Sequence, residues 1–334
     1  MSAYPLHPTY CPDQAVHVAA PIVENVPIAH DTYRLRFAAP EIARRILPGQ
    51  FVMVRLAGTN DPLIGRPLAL YDTYLNHAGT PEGLDVVYFV KGKFTNRLCQ
   101  MLPSQMLEVW GPLGNGFDPA ALHYAGGHEH PHGGHGTEAA QQRGTAASGA
   151  EAGHRPAIPI DWWILVAGGI GQTPFLALAQ ELLGKKYYGD PPRRPPRALH
   201  VTLCYGARTA KWLAGVEDFR QLGVDVRLAT DDGSLGHHGL VTELVQAALK
   251  EHHGRPRIVA CGPEPMMAAT AALAQESRVP CVVSLETPMA CGIGICFSCV
   301  APIRQADGSW DYKRTCVEGP VFDAQRVAWQ TAAS

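Results

Sequence analysis

The chain has 334 residues but no apolar run near the roughly 18 residues that a membrane-crossing helix needs. It also lacks a basic stretch followed by an apolar core at its start, where "MSAYPLHPTYCPDQAVHVAA" is mixed and proline-bearing. No excess of charge of either sign is present. The 28 Lys and Arg against 30 Asp and Glu leave a formal net charge of −2, which gives no electrostatic case for nucleic acid or an anionic membrane. These absences predict a cytoplasmic chain with no nucleic-acid and no membrane partner. Cysteine is scarce, nine in all, and in a reducing compartment clustered cysteines more often bind metal or do chemistry than form disulfides. What remains is ordinary: 46% hydrophobic and 17% charged residues match a globular protein, and the length suits two or three domains.

A short N-terminal extension (1–15) leads into strands and turns over 16–122. "HDTYRLRFAAP", "GQFVMVRLAG", "GLDVVYFVKG" and "QMLEVWGPLGNGF" are short, rich in Val, Tyr and Phe, and end at turn residues. Many short strands at such spacing predict an antiparallel β-barrel or sandwich. Residues 123–157 are Gly-, Ala- and His-rich without hydrophobic periodicity, and are expected to be a flexible insertion. His123, His128, His130, His132 and His135 could take up a divalent metal, but nothing in the segment fixes ligand geometry. From 158 to 283 strand and helix alternate: "DWWILVAGG", "TPFLALAQELLGKK", "ALHVTLCYGAR", "DVRLATDD", "GLVTELVQAALKEH", "RIVACGP" and "EPMMAATAALAQES". That alternation predicts an α/β doubly wound parallel sheet, interrupted at 189–197 by the Pro-rich surface excursion "GDPPRRPPR".

Two glycine turns in this region suit a nucleotide. In "VAGGIGQTP" (166–174), Gly168, Gly169 and Gly171 allow close backbone approach, and Thr173 and Pro174 open a helix whose first amides would face a phosphate. The spacing is not the G-x-G-x-x-G dinucleotide fingerprint, and a purely structural turn is the alternative. "ACGPEPMM" (260–267) places Cys261, Gly262 and Pro263 at a later strand end, where open α/β sheets bind ligands. In the β-region, Arg66 of "GRPLALY" and Gly92 and Thr95 of "KGKFT" offer a guanidinium, backbone and hydroxyl donors to a ring or a pyrophosphate, although Arg66 taken alone reads as a surface arginine.

The last segment, 284–328, carries Cys291, Cys296, Cys299 and Cys316 as C-x4-C-x2-C with sixteen residues before the fourth. This matches a plant-type [2Fe–2S] spacing, and Ala290, Gly292 and Gly294 would let the loop wrap a cluster. Zinc is the structural alternative, but it usually takes two close Cys pairs and only Cys296 and Cys299 form one in sequence. Cys11, Cys99, Cys204, Cys261 and Cys281 are scattered and read as packing residues.

In this order, a β-domain with "RPLA", an α/β-domain with "GGIGQTP" and "CGPEPMM", and a short four-cysteine tail, the chain resembles the ferredoxin reductase superfamily. Within it, "ETPMACGIGICFSCVAP…YKRTCVEGPVFDA" and "TDDGSLGHHGLVTE" resemble the electron-transfer subunits of NAD-linked dihydroorotate dehydrogenases. The resemblance covers about 16–122 and 158–328. It implies FAD on the barrel, NAD(H) on the α/β-domain and a [2Fe–2S] cluster on the tail. The family's Arg-Pro-x-Ser motif falls on Arg66, Pro67, Leu68 and Ala69, its Tyr-Arg-Val strand on Tyr88, Phe89 and Val90, and its Gly-Thr pair on Phe94 and Thr95. Ala69 lacks the hydroxyl expected near the flavin, and Phe94 stands where the family has a small glycine near the pyrophosphate. The implied partner is an FMN-containing dihydroorotate dehydrogenase catalytic subunit, in a heterotetramer of two of each, which would hold the base acting on the substrate. No residue of this chain is expected to be an acid or base on dihydroorotate. The FAD/[2Fe–2S] subunit of NADH-dependent ferredoxin:NADP oxidoreductases or hydrogenases shares the domain order, but tends to use an aspartate at one cluster position. Oxygenase reductases carry a full ferredoxin domain, for which the roughly fifty residues after the nucleotide domain are too few. A zinc-binding scaffold with a vestigial nucleotide fold is the non-enzymatic rival.

Overall fold

The computed structural model describes residues 14–119, 160–251 and 254–329. The expected N-terminal extension up to residue 13 and the His-rich insertion lie outside the described residues, as do Cys11 and the five candidate histidines.

Six antiparallel strands close a barrel in the order β1-β2-β5-β4-β3-β6, with β1 Val16–Ala29, β2 Thr32–Ala38, β3 Phe51–Leu56, β4 Arg66–Leu75, β5 Pro81–Phe89 and β6 Met106–Leu113. Strand β1 is long enough to serve two neighbours. Its first part pairs with β6 and its second with β2, and a register shift between Ile22 and Glu24 bends it at the change of partner. The interior is filled by alternate residues of the strands, among them Leu35, Phe37, Val52, Val54, Leu70, Leu84, Val86 and Tyr88. Two short helices, α1 Pro40–Arg45 and α2 Lys93–Leu98, plug it with Ile42, Phe94 and Leu98.

The second layered unit is a seven-stranded sheet in the order β10-β9-β8-β7-β11-β12-β15. Its strands are β7 Trp162–Gly168, β8 His200–Ala207, β9 Asp225–Thr230, β10 His237–His238, β11 Pro256–Cys261, β12 Cys281–Ser284 and β15 Val321–Asp323. All pairings are parallel except that of β15, which runs antiparallel along β12. A strand covered on both faces has no polar side, and β7 reads "WWILVAG" for that reason. Trp163, Leu165 and Ala167 pack under helices α3 Phe175–Leu182 and α4 Val216–Gln221. Trp162, Ile164 and Val166 face the other way, under α5 Val241–Glu251 and α6 Glu264–Glu276. None of the described helices is long and apolar enough to cross a membrane.

The cysteine segment is not an independent body. Strand β15 completes the nucleotide-type sheet, and the hairpin β13 Val300–Arg304 with β14 Trp310–Arg314 adds Ala301 and Ile303 to the core beneath α5 and α6. The cysteine loop itself lies on the barrel, where Phe51, Met53 and Leu113 pack with Met289, Cys299, Cys316 and Val317. The Pro-rich excursion is tied down as well. Arg193 within it donates to the buried Glu181 carboxylate of α3 at 2.6 and 2.9 Å and to the Phe117 carbonyl at 2.7 Å.

Candidate functional site

In a doubly wound sheet the chain winds outward one way, returns, and winds out the other way. Here β7, β8 and β9 run toward one edge while β11 and β12 run toward the other, so β7 and β11 are the neighbours that flank the change of direction. Loops leaving the carboxyl ends of those two strands must diverge, and a crevice opens between them. Both glycine turns sit there. A Cβ on Gly171 would lie 2.2 Å from the Cys261 carbonyl oxygen, and one on Gly168 would lie 2.7 Å from Pro263 Cδ and from Met266 Sδ. The two turns therefore touch through positions that only glycine permits. Gly262 approaches Gly168 from the other side, where a Cβ would be 2.9 Å from its amide nitrogen. By contrast, a Cβ on Gly169 would meet nothing within 4 Å, which leaves that backbone open to a bound group.

The turn Gly169–Gln172 and helix α3 pack on strands β5 and β4 of the barrel, so the crevice and the barrel strands with "RPLA" and "YFV" share one seam. Pro174 caps α3 and Thr173 precedes it, buried. Cys261 is raised to about 12, chiefly by burial, and remains a neutral thiol. Neither "SLE" residue beside it was singled out in the sequence: Ser284 hydrogen-bonds the Cys261 thiol, and the Glu286 carboxylate is close enough to act on it.

On the barrel side, Arg66 is exposed at the head of β4, with its guanidinium donating only to the Ile64 and Gly65 carbonyls, 3.1 and 3.0 Å away. Among the described residues no carboxylate pairs with it, and its charge is available. Pro67 and Ala69 are half-buried, Leu68 is buried, and Ala69 lies opposite Phe51. Strand alternation separates the other motif. Tyr88 turns inward, 2% exposed, stacked on Tyr33 and donating its hydroxyl to Asn25 Oδ1 at 3.0 Å. Phe89 and Val90 stay half-buried, with Phe89 edge-on to Trp212 of the nucleotide-type domain.

Phe94 differs from the expectation drawn from its position. Its side chain is 1% exposed inside the barrel core and does not project where a glycine would have left room for phosphate. Thr95 is also turned inward, its hydroxyl accepting the Lys91 N–H at 2.6 Å. The accessible part of this turn is Gly92, at φ +83° with open space above it.

The four cysteines gather on the barrel surface as two pairs. Cys299 and Cys316 are buried with their sulfurs 3.1 Å apart. Cys291 and Cys296 hydrogen-bond each other, and Cys296 is exposed. Hydrogen bonding lowers two of these thiols to about 6: Cys296 through the Ser298 hydroxyl and amide, and Cys299 through Cys316, whose own thiol is pushed up. Among the described residues no three Cys, His, Asp or Glu side chains converge on a single-ion centre. Two thiol pairs, one for each iron, are the kind of donor set that a binuclear cluster takes. The loop between them depends on glycine: Gly292 at φ +72° would put a Cβ 2.5 Å from Met53 Cγ, and Gly294 at φ +83° would put one 2.6 Å from Val317 Cγ2. The remaining described cysteines, Cys99, Cys204, Cys261 and Cys281, are free, and Cys204 and Cys281 are wholly inside the sheet core.

Sequence reading missed the residues that lock barrel and sheet together. Asp72 of β4 accepts from Gln180 at 2.9 Å, Lys186 at 2.6 Å and Tyr188 at 2.8 Å, and Tyr71 donates to Asp218 at 2.5 Å. Polar residues separated by about a hundred positions leave no periodic signal.

Comparison with known proteins finds a family model for each of the three parts. An oxidoreductase FAD-binding domain model matches residues 19–117 and an oxidoreductase NAD-binding domain model matches 165–272. The iron–sulfur cluster binding domain of dihydroorotate dehydrogenase B matches 286–328. In solved structures, the chain is similar to an NADH-dependent reduced ferredoxin-NADP oxidoreductase at 26% identity, TM-score 0.65, over 93% of this chain and 90% of that one. A ferredoxin reductase of carbazole 1,9a-dioxygenase shares the fold at 19% identity and TM-score 0.54, covering 80% of this chain and 67% of that one. The electron transfer subunit of dihydroorotate dehydrogenase B (NAD(+)) from Desulforamulus reducens is 34% identical over 91% of this chain and 95% of its own length. That from Bacillus caldolyticus is 33% identical over 90% and 94%. The chain belongs to the family of dihydroorotate dehydrogenase B (NAD(+)) electron transfer subunits.

Proposed function

We infer that this chain passes electrons between NAD(H) and a dihydroorotate-oxidising partner subunit that carries FMN, in an assembly of two copies of each in the cytoplasm. The observation that carries the reading is the placement of two thiol pairs on the same barrel whose other side meets the two-glycine crevice. Bound FAD supplies the exchange between a hydride and single electrons that nicotinamide and an iron–sulfur centre cannot make directly.

The chain's own groups bind and position. Gly168, Gly169, Gly171, Thr173 and Pro174, with Cys261, Gly262 and Pro263, line the NAD(H) crevice, where the open backbone at Gly169 admits a phosphate. The exposed guanidinium of Arg66 offers a charge to FAD, with Pro67, Leu68 and Ala69 supplying backbone along the ring. Phe89 and Val90 contribute the outer face of β5, and Gly92 the approach to the pyrophosphate, while Tyr88, Phe94 and Thr95 support that surface from behind. Cys291, Cys296, Cys299 and Cys316 hold the cluster. Ile295 and Phe297 stand exposed beside Cys296, and an apolar rim around an exposed ligand suits a partner's docking.

The test is anaerobic. The chain is affinity-purified from its native extract, and the eluate is assayed for dihydroorotate-dependent NAD+ reduction. Activity with a co-eluting FMN subunit is the expected result. A brown, NADH-reducible eluate inert to dihydroorotate but able to reduce NADP+ when given NADH and reduced ferredoxin together would move the assignment to the oxidoreductase it resembles at 26% identity.

A further inference from the structure

Trp110 of β6 belongs to neither the flavin motif nor the cysteine motif, yet it touches both regions. Its indole Nε1–H donates to the carbonyl of Cys291 at 2.9 Å. At the far end of the ring, Cη2 fills the space that a Cβ on Gly65 would claim, 2.8 Å away, and Gly65 immediately precedes Arg66. The indole thus spans from a cluster-binding residue to the head of the flavin strand. Its strand neighbours reinforce the placement. Trp110 is paired with Met53 on β3 and with His17 on β1. Met53 is the residue against which Gly292 packs, and His17 meets the indole edge-on at 6.0 Å.

The rest of the loop is held differently. Arg314 of the hairpin donates to the Gly294 carbonyl at 3.0 Å, and Ser298 accepts the Ala290 N–H at 3.2 Å, so these bonds fold the tail onto itself. The Trp110 bond instead runs from barrel to loop. A cavity of about 530 Å³ lies beside it, lined by His17, Leu63, Ile64, Trp110 and Ile293 among others.

We propose that Trp110 is a positioning residue that sets where the Cys291–Cys296 half of the cluster loop sits relative to the flavin strand. The proposal rests on the cluster reading above. It requires the indole N–H as well as the ring, because a ring alone would pack on Gly65 without fixing the loop.

The test compares the cluster-loaded wild-type chain with Trp110→Phe and Trp110→Leu, using Trp310→Phe, on the exposed hairpin, as the control. Loss of the bond in Trp110→Phe speeds hydrogen–deuterium exchange in residues 290–296 by about two- to tenfold, the range expected for one hydrogen bond. It also shifts the g-values of the reduced cluster, and Trp110→Leu shifts both readouts further, while Trp310→Phe matches wild type. Exchange and g-values unchanged in both Trp110 variants, with iron and sulfide present, would overturn the positioning role alone. A wild-type chain that binds no iron or sulfide would overturn the cluster reading and this proposal together.

Discussion

Cys299 and Cys316 are separated by sixteen residues of hairpin, and their sulfurs meet at 3.1 Å beneath the barrel. At the residue scale, what a side chain does here follows from which way its backbone turns it. Replacing Cys299 by serine removes a buried thiol of the inner pair proposed to hold the cluster. The expected outcome is loss of the cluster's visible absorbance and iron with FAD retained, read from the spectrum of the purified variant. Phe94 carries the opposite lesson: its position suggests the flavin, but its burial assigns it to the core. Phe94→Ala is expected to lower unfolding free energy by about 3–5 kcal/mol, measured by denaturant titration. A variant of wild-type stability with altered flavin affinity would return Phe94 to the site. Gln172, in the glycine turn, is fully buried, and among the described residues neither of its amide atoms has a hydrogen-bond partner. An unsatisfied buried amide costs about 1–3 kcal/mol, so Gln172→Met is expected to stabilise the protein, seen as a raised Tm.

At the scale of elements, helix α3 does two jobs. Its start faces the crevice, and its end buries Glu181 against Arg193 of the Pro-rich excursion. Burial raises the Glu181 carboxyl above its ordinary 4.5, and Arg193 only partly opposes this. A carboxyl raised on folding binds its proton more tightly in the native state than in the unfolded one. Native stability from this group is therefore greatest below 4.5 and declines as pH rises through the folded value. Denaturant titrations across that window are expected to show the wild type losing stability relative to Glu181→Gln as pH increases. A constant difference between the two would mean that the carboxyl is not shifted.

At the scale of the whole molecule, the barrel and the sheet are joined by a polar lock. The Asp72 carboxylate accepts from three donors contributed by the other unit, Gln180, Lys186 and Tyr188. Removing it takes that acceptor from the Tyr188 hydroxyl and leaves the Lys186 ammonium with the Thr73 carbonyl in the seam. Asp72→Ala is expected to cost about 1–3 kcal/mol and to split one unfolding transition into two, followed by calorimetry. A single transition at an unchanged temperature would show that the apolar seam alone couples the units.

Local chemistry was sufficient for much of this. Alternating apolar strands and amphipathic helices dictated the sheet, because burial on both faces leaves no room for polar alternation in "WWILVAG". Cysteine spacing dictated the metal chemistry, because C-x4-C-x2-C fits a single loop. Glycine runs marked the turns at two strand ends. None of these patterns says which distant pieces meet. Strand alternation, seen only once β5 was in the barrel, turned Tyr88 inward, and helix α2 did the same for Phe94. The tail's contribution of β15 to the sheet, Trp110's reach to Cys291 and the three donors on Asp72 join residues far apart in the chain. Local periodicity fixes each element, because it depends on neighbours two residues away in a strand and three or four away in a helix. Only the closed tertiary structure could decide these contacts, because they depend on how whole elements pack.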